Sequence, residues 1–209
     1  MTSMPSAATV AAVVDTHRRF DGRVVYRQVP TGLAGQPRPA LWRPTKRPWR
    51  WNDAFPTLYT ALSLEVAYAE RLKRTGAAPV RLVVGVADVS IGRTLDLTDP
   101  SILVRLRVRV ADLVTDDHTV TRALGTAFYQ AGITGLLVPA AIATTAREYP
   151  RFRVVRDGRA TVHTTPTEGT NLVIFRSNRR QGDSWRERVA ERFVCEIAGW
   201  RPSPPSQSP

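Results

Sequence analysis

Cysteine is nearly absent from this 209-residue sequence. Cys195 is the only one, which excludes an internal disulfide and a cysteine-built zinc site. Histidine is scarce as well: His17, His118 and His163 stand far apart without metal-ligand spacing, so the sequence predicts no structural metal. Lysine is rarer than so basic a chain would suggest, with 2 lysines against 28 arginines. Neither G-x-G-x-x-G nor G-x-x-x-x-G-K-[ST] occurs, which removes a Rossmann or Walker account of nucleotide binding. Long apolar runs are missing too. The piece from Ala7 to Val14 is far too short to span a bilayer, and no Lys or Arg precedes Arg18 to supply the basic start of a secretory signal. A cytoplasmic protein without membrane association is the expectation.

What is present is a core-forming composition and a strong positive charge. At 209 residues and 43% hydrophobic content, one domain with extensions can bury a proper core. The formal charge of +12 attracts phosphates, whether of nucleic acid or of a dinucleotide, and also an acidic partner surface. Charge alone does not choose among these, and arginine-rich coding on a solvated surface is the plain alternative. Strands interspersed with a few helices, without regular βαβ alternation, predict an α+β fold.

The most informative stretch runs from Trp42 to Glu70. Pro30, Pro37, Pro39, Pro44 and Pro48 prevent regular structure between residues 30 and 50, so a long loop is expected. Trp42, Trp49 and Trp51 argue that it is ordered, either by plugging the underside of the core or by stacking on a base. After the run Leu58-Tyr59-Thr60-Ala61, Ser63 is a plausible N-cap, Glu65 suits the positive end of a helix dipole, and Leu64, Ala67, Tyr68 and Leu72 recur at helical spacing. Glu70 then falls beside Ala67 at the border of the buried stripe, where a carboxylate can look into a cleft. The alternative is a surface ion pair with Arg74, four residues on.

Elsewhere, Arg23 to Arg27 reads as a strand delivering Arg27 near its end, and Val80 to Val86 and Thr94 to Leu97 as two further strands. Ile102 to Val110, alternating with Arg105, Arg107 and Arg109, predicts a half-exposed strand. Val120 to Ala131 is an amphipathic helix, with Thr119 as its cap and Gly132 as its stop. Alternation at Phe152 to Val155 and Ala160 to His163 around Asp157-Gly158 predicts a hairpin. Trp185, Val189, Phe193 and Ile197 at four-residue steps predict a C-terminal helix before a disordered tail from Pro202 to Pro209.

Tyr26-Arg27 after Val24-Val25, Arg50-Trp51-Asn52, Leu58-Tyr59-Thr60-Ala61 and Ala67-x-x-Glu70 resemble, in order and spacing, the RES domain family, named for an arginine, a glutamate and a serine. Leu95-Asp96-Leu97-Thr98-Asp99, the helix from Ala123 to Ala131, Gly132-Ile133-x-Gly135-Leu136-Leu137-x-Pro139 and Asn171 to Phe175 resemble its later landmarks. The resemblance covers about residues 22 to 176, and together with the composition and periodicity it divides the chain into three parts. Residues 1–21 are a flexible N-terminal segment, 22–178 a RES-like domain with a hairpin insertion near 143–168, and 179–209 a C-terminal helix and tail.

It also implies an ADP-ribosyltransferase-like mixed β core with flanking helices, whose cleft holds NAD as substrate. The activity implied is that of a toxin that cleaves NAD by glycohydrolysis, or by phosphorolysis with inorganic phosphate as co-substrate. An Xre-like helix-turn-helix antitoxin would block the cleft and set the oligomer. Glu70 would stabilise the oxocarbenium-like state. Arg27, as a catalytic and binding residue, and Arg50 would hold the pyrophosphate, with Tyr26, Asn52 and Tyr59 completing the site. The family serine aligns with Ala140, so a catalytically impaired NAD-binding module is the first alternative. Thr144 or Thr145 would have to stand in for its hydroxyl. A basic nucleic-acid-binding protein is the second alternative.

Overall fold

The computed structural model describes residues 5–31 and 41–200. In chain order the helices are α1 (Ala7–Val14), α2 (Leu64–Thr75), α3 (Pro100–Leu106), α4 (Val110–Val114), α5 (Thr119–Gln130) and α6 (Ala143–Glu148). The strands are β1 (Arg18–Pro30), β2 (Thr57–Ala61), β3 (Val80–Asp96), β4 (Gly135–Pro139), β5 (Arg151–Arg156), β6 (Arg159–Thr164), β7 (Thr170–Phe175), β8 (Ser184–Glu187) and β9 (Phe193–Trp200). All nine join one mixed sheet, in which only β3 and β4 run parallel.

Five strands close on themselves. β1 pairs along β3, β3 pairs with β4, β4 with β7, β7 with β2, and β2 meets β1 again at Tyr26 and Ala61. Phe20, Val25, Leu58, Val89, Leu172 and Ile174 form one apolar cluster from these strands. A second cluster packs α1, α3, α4 and α5 against β3, β4 and β7 through Leu103, Leu113, Leu124, Phe128, Leu136 and Phe175. On its other edge the start of β3 continues into β9, β5 and β6, and α2 covers this wing with Tyr68 and Leu72 against Leu82, Phe152, Val154 and Ile197. No helix among the described residues is long and apolar enough to cross a membrane.

The α+β class and mixed core are as expected, and the hairpin forms where it is predicted. Asp157 and Gly158 both take positive φ, 51° and 74°, as a two-residue turn that matches strand twist requires. Several elements differ. The helix expected from Trp185 to Ile197 is β8 and β9, because a four-residue step satisfies a period of two as well as one near 3.6, and Cys195 and Ile197 are buried on alternate positions. The RES-like domain therefore does not end at residue 178.

The strand expected from Ile102 to Val110 is α3 followed by α4. Asp99 caps α3, Pro100 opens it, and left-handed Arg107 ends it with φ 56°. The N-terminal segment is not simply flexible: Ser6 caps α1, and Val13 and Val14 are buried in the helical cluster. The two strands expected between Val80 and Leu97 are one, β3, of 17 residues. Thr119 is the first residue of α5 rather than its cap, and the Asp117 carboxylate accepts from its N–H. Pro37, Pro39 and the tail from Pro202 lie outside the described residues.

Candidate active site

α2 carries the central carboxylate. Ser63 caps it by accepting from Val66 N at 3.2 Å, Glu65 sits in the first turn and Lys73 and Arg74 in the last, in accord with the helix dipole. Val66, Ala67, Tyr68, Ala69 and Leu72 are buried, which leaves Glu70 half-buried at the edge of that face. Its Oε1 accepts from Asn171 Nδ2 at 3.0 Å and from Ala141 N at 3.2 Å. Oε2 has no hydrogen-bond partner among the described residues. The ion pair with Arg74 does not form: the Arg74 guanidinium lies over the Trp49 ring, 4.7 Å from its centroid.

Glu70 faces a cavity of about 410 Å³. Five arginines line it, Arg27, Arg47, Arg50, Arg71 and Arg74, with Tyr26, Trp49, Tyr59, Ala141 and Asn171 among the other walls. Burial, then the charges of Arg74 and Arg71, brings Arg27 down to about 10, and burial with Arg74 does the same to Arg71. Both stay cationic at neutral pH, but they are cations held against one another. Burial also lowers Arg50, with Glu70 opposing the shift.

The expected site residues are brought together, and all but Asn52 line the cavity. Arg27 donates from Nη1 to Tyr59 O at 2.8 Å and from Nη2 to Arg43 O at 3.2 Å, so both terminal nitrogens are engaged in tying β1 to β2 and the loop. Arg50 Nη1 donates to the carbonyls of Leu113 and Thr115, closing the loop onto the end of α4. The Tyr59 hydroxyl accepts from Trp51 N at 3.0 Å and donates to Asn52 Oδ1 at 2.8 Å. Burial raises the Tyr59 pKa, which keeps that hydroxyl neutral.

Asn52 is fully buried and donates to the carbonyls of Arg47 and Phe55, so it holds the loop and does not line the cavity. Trp51 is buried against α5, where a Cβ at Gly125 would stand 2.2 Å from Trp51 O. Trp42 packs edge-on against Trp185 and does not line the cavity, whereas Trp49 and Trp51 both do. No group of three or more His, Cys, Asp or Glu is placed to hold a metal ion among the described residues.

The position expected for the family serine divides in two. Ala140 is buried in an apolar cluster with Ala61, Val66, Ala67 and Ile142, and its N–H donates to Gly169 O. Ala141 lines the cavity. Neither carries a hydroxyl. Thr144 and Thr145 do not line the cavity, and the Thr145 Oγ1 is buried without a hydrogen-bond partner among the described residues.

A family model described as the RES domain matches residues 24–194. The chain belongs to the RES domain family. No curated protein matches the sequence. Among solved structures, the RES domain is similar to a chain of the "Crystal structure of the M.tuberculosis MbcT-MbcA toxin-antitoxin complex", at 18% identity and a TM-score of 0.55 over 86% of this chain and 89% of that one. At that identity the likeness is one of fold.

Sequence reasoning missed four contributors to this RES domain site. Asn171 stands out only as the polar first member of the otherwise apolar run Asn171 to Phe175, and its contact with Glu70 spans 101 residues of sequence. Arg71 and Arg74 follow Glu70 on α2, but their convergence on the cavity depends on β1 and the tryptophan loop. Gln28, whose Oε1 accepts from Arg71 Nε at 2.8 Å, has no sequence signal at all.

Proposed function

We propose that this RES domain is the toxin of a toxin–antitoxin pair and that it degrades NAD by cleaving the nicotinamide–ribosyl bond. The observation that carries this reading is Glu70, a carboxylate fixed by two neutral donors and free of any ion pair among the described residues, facing a cavity lined by guanidinium groups. As the bond from the ribose anomeric carbon to the nicotinamide nitrogen breaks, its electron pair passes to the ring nitrogen and the sugar becomes oxocarbenium-like. A carboxylate that makes no ion pair of its own stabilises that positive charge and accepts from ribose hydroxyls. Water attacks the anomeric carbon and loses a proton to give ADP-ribose; inorganic phosphate in its place gives the phosphorylated sugar. Neither route needs a metal or a covalent nucleophile. A cavity is a poor seat for a polynucleotide, so its arginines favour a small anion over nucleic acid.

An Xre-like helix-turn-helix antitoxin that covers the cleft, and through which the toxin oligomerises, is the partner in this reading. The neighbour in fold was solved as a toxin–antitoxin complex, which supports it. An NAD-consuming toxin acts in the cytoplasm, where its substrate is. The methyl groups of Ala140 and Ala141 favour a second reading, an NAD-binding module with impaired turnover.

The test is incubation of the purified chain with NAD, with and without phosphate, following nicotinamide release. Wild type is expected to deplete NAD and Glu70→Gln to lose about two decades of rate or more. Full activity in Glu70→Gln overturns the assignment, and tight NAD binding without turnover by wild type selects the second reading.

A further inference from the structure

Of the five guanidinium groups that share the cavity, Arg47 stands on the exposed part of the loop, and the other four are not equally free. Both terminal nitrogens of Arg27 are engaged with the carbonyls of Tyr59 and Arg43, and Nη1 of Arg50 with those of Leu113 and Thr115. These two arginines build the wall. Arg71 is different: Gln28 takes only its Nε–H, which fixes the plane of the guanidinium and leaves both terminal nitrogens without a hydrogen bond among the described residues. The Arg74 side chain makes no hydrogen bond among the described residues, and the Trp49 ring holds its guanidinium in place at 4.7 Å. Neither has a carboxylate within ion-pair distance among the described residues.

Like charges held close together without a counter-ion raise the energy of the empty site, and a bound anion relieves it. We propose that Arg71 and Arg74, rather than Arg27, form the phosphate seat of the cleft, and that the site recognises nucleotides through a diphosphate. Two oriented forks match two adjacent phosphoryl groups better than one, since each fork can meet its own oxygens bidentately. The spacing agrees. Arg74 lies four residues beyond Glu70, about 6 Å along the helix axis, a span comparable to that from the anomeric carbon to the 5′-phosphate of a nucleotide. A ribose presented to Glu70 therefore brings its diphosphate alongside Arg71 and Arg74. The inference deepens the proposed function, since it takes the cleft to be a nucleotide site.

The experiment compares ADP and AMP, which differ by one phosphoryl group, in titration calorimetry at fixed ionic strength. Wild type, Arg74→Gln and the double variant Arg71→Gln/Arg74→Gln are measured. Arg74 is exposed, so its single variant keeps the fold. Wild type is expected to bind ADP about tenfold more tightly than AMP or better, with the ratio falling toward one in the double variant and part of the way in Arg74→Gln. A ratio that is unchanged in both variants overturns the proposal, as does a wild type that binds ADP no better than AMP. Neither ligand needs turnover. A chain that discriminates ADP through Arg74 but leaves NAD intact keeps this inference and defeats NAD cleavage. NAD cleavage with an unaltered KM in the double variant does the reverse.

Discussion

Glu70 owes its availability to what holds it. Asn171 and Ala141 give it neutral hydrogen bonds on one oxygen, so its position is fixed while its charge is left for a ligand. Asn171 acts through Glu70 and is a positioning residue. Asn171→Ala is expected to lower kcat for NAD cleavage about 10- to 100-fold, the equivalent of about 1 to 3 kcal/mol, with a smaller change in KM. Steady-state kinetics with a thermal melt as control checks this, and an equal loss in kcat and melting temperature alone would point to a purely structural role. The alanines make a paired prediction. Ala141→Ser places a hydroxyl at the cavity wall and is expected to raise turnover, whereas Ala140→Ser puts it into the apolar cluster with Val66 and Ala67 and is expected to leave turnover unimproved. Single-turnover NAD cleavage by the two variants decides, and a gain from Ala140→Ser rather than Ala141→Ser refutes the assignment.

At the scale of elements, α2 is the part that joins stability to function. One face packs Tyr68 and Leu72 on the β3–β9–β5 wing, while its border carries Glu70, Arg71 and Arg74 into the cavity. Ser63 starts it where β2 ends, and removing the cap frees the Val66 N–H at that junction. Ser63→Ala is expected to cost about 1 kcal/mol. At this chain length that is a fall of about 2–4 °C in Tm, read by circular dichroism. A change below half a degree would show the cap to be dispensable. α2 was legible because cap, dipole charges and apolar spacing all agree. α3 was not, because Val104, Leu106, Val108 and Val110 alternate with arginines as a strand would. What decides is the Asp99-Pro100 start and the burial of Ile102, Leu103 and Leu106 on one helical side.

For the whole molecule, β9 is the element that the sequence placed outside the domain and the sheet places within it. It lies between β3 and β5, and Cys195 and Ile197 pack with Leu82, Phe152 and Val154. A chain ended after Asn178 uncovers that cluster and leaves the β5–β6 hairpin without its neighbour. Such a truncation is expected to be insoluble or to lack a cooperative melt, and a soluble, cooperatively melting product with bound ADP would contradict the role given to β9. β8 is tied in separately, by the Arg188 guanidinium bridging Asp88 and Glu191 and by Arg192 with Glu187.

The sequence by itself determined the class of fold, the family resemblance, the helix that carries Glu70 and the hairpin at Asp157-Gly158, because each rests on neighbours within a few residues: a cap, a dipole, an apolar period, a turn that needs positive φ. It also named Arg27, Arg50, Asn52 and Tyr59 as members of one region. Only the tertiary structure decided which of their polar groups are already engaged and which of them line the cavity. Arg27 ties both terminal nitrogens to the carbonyls of Tyr59 and Arg43, Arg50 ties Nη1 to those of Leu113 and Thr115, and Asn52 is buried under its own loop. Asn171 reaches Glu70 from a strand 101 residues away, and Arg71 stays oriented because β1 brings Gln28 beside it. Hydrogen bonds to carbonyls and contacts between distant strands follow from how the sheet closes, and the closing of a sheet is a property of all its strands together.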